Sequence, residues 1–150
     1  MKRIASFEVD HTVLLPGIYI SRQDGDITTY DIRMRRPNVE EVLDNASIHT
    51  IEHLFATYVR NSEYAEKIIY FGPMGCRTGC YFLVRDMQTQ TAVELIKKAF
   101  NFIADFDGEI PGVSPKECGN YRDHSLKGAK KEAASYSSVI KDWTAEKTVY

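Results

Sequence analysis

Between Ile18 and Arg35 two strand-like runs flank the tetrapeptide Gln23-Asp24-Gly25-Asp26. Asp-Gly in that position is a strong hairpin signal, because glycine reaches the positive φ a tight turn needs. In the second run Tyr30, Ile32 and Met34 alternate with Asp31, Arg33 and Arg35, so one face is apolar and the other charged. An antiparallel pair with one greasy face is thus the first thing this chain builds.

Beyond Pro37 the period changes. Ile48–Asn61 sets Ile48, Ile51, Leu54, Phe55, Tyr58 and Val59 on one apolar arc, with Asn45 or Ser47 as the expected cap. Lys67–Phe71 and Cys80–Arg85 are short buried-strand patterns either side of the glycine-punctuated loop Gly72–Gly79. Thr89–Phe106 and Ser125–Trp143 are again helical; in the latter, Leu126, Ala129, Ala133, Tyr136, Ile140 and Trp143 form a stripe too short for a zipper, so it faces the core. Paired strands interleaved with helices predict an α+β fold, a largely antiparallel sheet with helices packed on one face, in a single domain over residues 1–150.

A net charge of −2 offers no basic field, which argues against nucleic acid and against a membrane surface. No run of about 18 apolar residues exists, and the start, MKRIASFEVDHT, turns acidic too soon for a signal peptide; the expectation is a cytoplasmic protein. Three cysteines, Cys76, Cys80 and Cys118, form no even-numbered disulfide framework. In a reducing compartment they serve as ligands, catalysts or core.

The chemistry centres on His49-Thr50-Ile51-Glu52-His53, an H-x-x-E-H motif. Histidines at i and i+4 lie about 40° apart around a helix, so both imidazoles can meet one metal ion. Glu52 projects to the same side, where it can act on a metal-held group without being a ligand. Cys118, beside Gly119 and just ahead of a helix, is the best third ligand, with Glu117 as its competitor. Two histidines and a soft sulfur suit Fe(II), Co(II) or Zn(II) and disfavour magnesium or calcium.

Cys76 is the second signal. It sits in Gly72-Pro73-Met74-Gly75-Cys76-Arg77-Thr78-Gly79, where glycines admit a close approach and Arg77 next door favours a thiolate, the form that acts as base or nucleophile. Cys80 opens an apolar strand and reads as structural. Ser6, His11 and Arg33 can finish a polar pocket, although each taken alone reads as structural or surface, and Arg33 as solvated. His124 reads as a residue at a helix start.

These segments jointly resemble the S-ribosylhomocysteine lyases, the LuxS family. The resemblance runs through Ser6–Thr12, Tyr30–Arg33, Arg36–Asn38, Ile48–Leu54, Gly72–Gly79, Glu117–Asn120 and Leu126–Lys130. It is loosest at Tyr70-Phe71, where relatives carry an acidic residue, and at Cys80, where an aromatic is common. It implies cleavage of S-ribosyl-L-homocysteine to L-homocysteine and 4,5-dihydroxypentane-2,3-dione, the autoinducer-2 precursor of quorum sensing, by carbonyl migration and β-elimination. It further implies Fe(II), with zinc or cobalt able to substitute, and a homodimer with active sites at the interface. By motif it gives His49, His53 and Cys118 as ligands, Glu52 and Cys76 as proton carriers, and Ser6, His11 and Arg33 as the substrate pocket. The alternative from the residues alone is an H-x-x-E-H metallopeptidase that takes Glu117 or Glu109 as third ligand and leaves Cys76 without a task.

Overall fold

A computed structural model describes residues 1–150. The hairpin forms as expected: β1 (Gly17–Asp24) and β2 (Ile27–Arg33) pair antiparallel around Gly25, whose φ of +60° is the left-handed value the turn demands. After α1 (Asn45–Arg60) come β3 (Ile68–Pro73) and β4 (Gly79–Arg85), then α2 (Thr89–Asp105) and α3 (Leu126–Ile140). All pairings are antiparallel and the strand order is β1-β2-β4-β3. The second hairpin therefore docks through β4 onto β2, and the α+β architecture holds.

The periodicities decide which side chains go inward. Ile18, Tyr30, Ile32, Phe71, Phe82 and Val84 leave one sheet face and join Leu54, Phe55 and Val59 of α1, Ile96, Phe100 and Ile103 of α2, and Ala133, Tyr136 and Ile140 of α3 in one core of 26 buried residues. Phe55 is its hub: its ring stacks on Phe71 at 3.9 Å and meets Phe82 edge-on at 5.0 Å. The α3 stripe does face this core, although the helix stops at Ile140, short of Trp143. The cap of α1 differs from expectation. Asp44, extended at φ −71° and ψ 152°, accepts from the Ser47 amide at 2.8 Å, so Ser47 is the third helical residue and not the cap.

The opposite sheet face is not covered by helices. Tyr19, Thr29, Asp31, Arg33 and Tyr81 lie on it, and the chain's first residues and its last ones fold across. The exposed edge of β1 is tied off by long-range bonds: the Tyr136 hydroxyl donates to Gly17 O at 2.6 Å, Trp143 Nε1 to Ile18 O at 2.9 Å, and the Ile20 amide to Thr148 O at 2.7 Å. No helix is long and apolar enough to cross a membrane.

Candidate active site

Helix α1 delivers the two motif histidines with their rings 4.8 Å apart, facing the loop that leads into α3. That loop brings Cys118, whose Sγ lies 3.4 Å from His49 Nε2. A tetrahedral ion bound by sulfur at about 2.3 Å and nitrogen at about 2.0 Å separates such donors by roughly 3.5 Å, so the pair is already at ligand spacing. Backbone carbonyls fix the ring tautomers. His49 Nδ1 lies 2.8 Å from Asp123 O and His53 Nδ1 2.8 Å from Pro111 O. A carbonyl only accepts, so each Nδ1 carries the proton and each Nε2 presents a lone pair inward. Gly112 makes the second of these contacts possible: at φ +74° it brings the chain so near His53 that a Cβ there would stand 3.3 Å from the ring.

His124 joins them. It gave no functional signal in the sequence, yet its donor nitrogen falls with those of His49, His53 and the Cys118 sulfur, all within 4.8 Å of one another. Its ring stacks on His49 at 3.8 Å, Nδ1 is 2.9 Å from Thr50 Oγ1, and Nε2 is 4.0 Å from Cys118 Sγ. Burial, reinforced by the His49 and His53 rings, pushes His124 down to about 4, so it is neutral near pH 7 with a lone pair to offer. The spacing Cys118-x5-His124 ahead of a helix was the only available hint. Three imidazoles, two of them with tautomers fixed by carbonyls, and a thiol fit a divalent first-row ion such as iron, cobalt or zinc. Neither Glu117 nor Glu109 joins the cluster; Glu117 is exposed and takes a hydrogen bond from Ser114 Oγ at 2.6 Å. The carboxylate-completed site of a metallopeptidase is therefore not built.

The remaining residues assemble elsewhere. Ser6, His11, Arg33 and Cys76 line one cavity of about 610 Å³, together with Phe7, Thr78 and Tyr81. His11 is fixed by Nδ1, 2.8 Å from Val9 O. Cys76 is exposed, with Sγ 3.1 Å from Thr78 Oγ1. Arg33 is not solvated as its polar face suggested: it is 2% exposed and locked to the equally buried Asp31, Nε to Oδ1 at 3.1 Å and Nη2 to Oδ2 at 2.7 Å. Burial works against its charge, but Asp31 more than offsets this, and the guanidinium stays protonated.

Arg77 does not serve Cys76. Its backbone takes φ +58°, its Nη1 lies 3.4 Å from Leu43 O, and it is absent from the cavity wall. The arginine linked to Cys76 is Arg33, through Thr78 Oγ1, to which its Nη1 donates at 2.7 Å. Cys80 is wholly buried, and burial pushes its thiol up, with Glu52, Asp31 and Cys76 adding to the effect. It is inert. Half-buried Glu52 thus stands on α1 within electrostatic reach of β4. Within one chain, none of the metal-cluster residues lines the Cys76 cavity.

A family model described as S-Ribosylhomocysteinase (LuxS) matches residues 4–147. The chain belongs to the LuxS family. It is 48% identical over 156 aligned positions to the S-ribosylhomocysteine lyase of Borreliella burgdorferi (strain ZS7), covering 100% of this chain and 99% of that protein. It is 49% identical to that of Phocaeicola vulgatus, over 100% and 97% of the two chains. The S-ribosylhomocysteine lyase of Clostridium beijerinckii is 48% identical, with 100% and 99% covered. The protein is accordingly a LuxS-type carbon–sulfur lyase acting on S-ribosylhomocysteine, and its clustered histidines and cysteine are a site fit for a metal.

Proposed function

We propose that the ion is Fe(II), with zinc or cobalt able to substitute, that His49, His53 and Cys118 hold it, and that the active site is completed between two copies of the chain in a cytoplasmic homodimer. The observation that carries this reading is the separation just described. The Cys76 cavity and the metal cluster are each well formed, yet they share no residue within a protomer. A second copy laid over the sheet face that no helix covers supplies the other half, and exposed Phe7, Val13 and Leu15, which line the cavities on that face, fit such a contact.

When bound, the ion supplies Lewis acidity that makes carbon-bound hydrogens beside a sugar carbonyl removable. The chain's own residues do the rest. Ser6, His11 and the Arg33 guanidinium line the polar end of the cavity and orient the ribose hydroxyls. Cys76 Sγ, held by Thr78 Oγ1 at 3.1 Å, takes and returns protons as the carbonyl migrates along the ribose chain. Glu52 performs the matching transfers from α1 and removes the proton whose loss lets the thioether depart as homocysteine. Each step is a tautomerisation or an elimination, so no redox cofactor is required.

The test is anaerobic turnover of S-ribosylhomocysteine by protein loaded with Fe(II), Co(II) or Zn(II), following release of the homocysteine thiol, with the mass of the particle measured by light scattering. A dimer most active with Fe(II) is expected. An active monomer would overturn the shared site, and Zn(II) outpacing Fe(II) would overturn the choice of metal.

A further inference from the structure

Asp31 and Arg33 are the only oppositely charged pair in the protein that is shut away from solvent, their side chains being 1% and 3% exposed. Such a pair is expensive to bury unless the remaining polar atoms are satisfied. On the arginine side they are: Nε and Nη2 go to Asp31, and Nη1 goes to Thr78 Oγ1. Accepting from Arg33 leaves the Thr78 O–H free to donate toward Cys76 Sγ at 3.1 Å. The arginine thus aims the threonine, and the threonine holds the sulfur.

On the aspartate side the third contact comes from 119 residues away. The Tyr150 hydroxyl donates to Asp31 Oδ2 at 2.6 Å. Its ring is stacked on Tyr19 at 5.0 Å and 14°, and Tyr19 in turn meets Trp143 edge-on at 5.8 Å. Tyr150 also lines a second, mostly apolar cavity of about 660 Å³, between Val149, Leu14 and Tyr19, whose wall includes neither Asp31 nor Arg33. The tyrosine therefore stands between that cavity and the ion pair. Burial and the Asp31 charge push its phenol up, so it stays a donor.

We propose that Tyr150 is a positioning residue for the lyase reaction, acting through Asp31 to fix the Arg33 guanidinium against Thr78 and Cys76. This rests on the reading above in which Arg33 and Cys76 work in the substrate cavity. Because the Asp31–Arg33 contact is two-point, the guanidinium follows any rotation of the carboxylate. Tyr150 pins one carboxylate oxygen and keeps water from competing for it. Without the hydroxyl the carboxylate turns toward water, Nη1 leaves Thr78, and the sulfur loses its fixed partner. Displacements of about 1 Å in such a chain are enough to slow chemistry.

The experiment compares Fe(II)-loaded parent, Tyr150→Phe, Asp31→Asn, the double variant and Arg33→Lys. It measures kcat and KM, melting temperature, and the rate at which Cys76 is alkylated by iodoacetamide at pH 7, resolved by mass spectrometry. Tyr150→Phe keeps the ring stack and loses one hydrogen bond to a charged group, so we expect kcat at 25 °C to fall about tenfold and Cys76 alkylation to slow in a protein that is still fully folded there, its melting temperature lower by only several degrees. Asp31→Asn falls further, and adding Tyr150→Phe to it costs nothing more, because the tyrosine acts through the carboxylate. Parental kcat and alkylation in Tyr150→Phe, or an undiminished tyrosine effect on top of Asp31→Asn, would overturn the proposal. If Asp31→Asn does not fold, kcat and alkylation in Tyr150→Phe decide alone. Arg33→Lys separates the two readings: a parental rate there sinks the role of Arg33 in the cavity, whereas a slow Arg33→Lys beside a parental Tyr150→Phe sinks the tyrosine's role only.

Discussion

The metal cluster and the Cys76 cavity are built in opposite ways. The cluster draws two of its four donors from consecutive turns of one helix and the other two from a loop six residues apart, so most of its geometry is local. The cavity gathers Ser6 and His11 from the chain's first residues, Arg33 from β2 and Cys76 from the β3–β4 connection, so its geometry is a product of strand pairing. One follows from helical periodicity; the other exists only once β2 and β4 are in register, with Arg33 opposite Gly79. Damage to the two should therefore look different in the test tube.

The sharpest contrast is between Cys76→Ala and Cys118→Ala. Both should lower turnover by about a thousandfold or more. Cys76→Ala should retain a full complement of metal by elemental analysis, while Cys118→Ala should retain little after dialysis against a chelator. Loss of metal from Cys76→Ala would erase the division between the regions. Mixing the two dead variants tests whether the halves meet across a dimer. Random reassortment makes half the particles hybrid, each with one intact site, so about a quarter of parental activity should return. No recovery, with subunit exchange confirmed by mass spectrometry, would place both halves in one protomer's site.

His124 offers a smaller perturbation of the cluster alone. His124→Ala should weaken metal retention about ten- to a hundredfold in a chelator competition and leave iodoacetamide labelling of Cys76 at its parental rate. Parental metal retention would reduce His124 to a packing partner of His49.

What could be read from the sequence divides along the same line. The Asp24-Gly25 hairpin, the apolar arcs of the three helices and the H-x-x-E-H pair were legible because each is encoded within a few neighbouring residues. Helix ends were less so, since Asp44 caps α1 through a side-chain bond that competes with equally plausible caps at Asn45 and Ser47. Arg33 is legible as a residue of the charged face of β2 but not as a buried one, because alternation tells which face a residue is on, not what lies over that face; the cover comes from Tyr150 and the chain's first residues. Arg77 is next to Cys76 in sequence, but a left-handed backbone carries its guanidinium to Leu43 O, and the arginine joined to Cys76, through Thr78, is Arg33. His124 carried no motif at all and entered the cluster only because the loop after Cys118 folds back on α1. The family motifs marked residues whose grouping no period in this chain encodes.

The smallest expected effect asks how much the helix itself matters to the cluster it carries. Asp44 accepts from the Ser47 amide at 2.8 Å and from Ser47 Oγ at 2.7 Å, closing the first turn of α1, one turn before His49. Asp44→Ala should cost about 1 kcal/mol, seen as a fall of about 2–4 °C in melting temperature for a chain of this size. Turnover at 25 °C should not change, because Asp123 O and Pro111 O hold the histidine rings from outside the helix. Metal affinity should likewise stay within twofold of the parent. A larger loss of metal than of stability would mean that the fraying first turn reaches His49, and that the cluster depends on its helix as tightly as the cavity depends on its sheet.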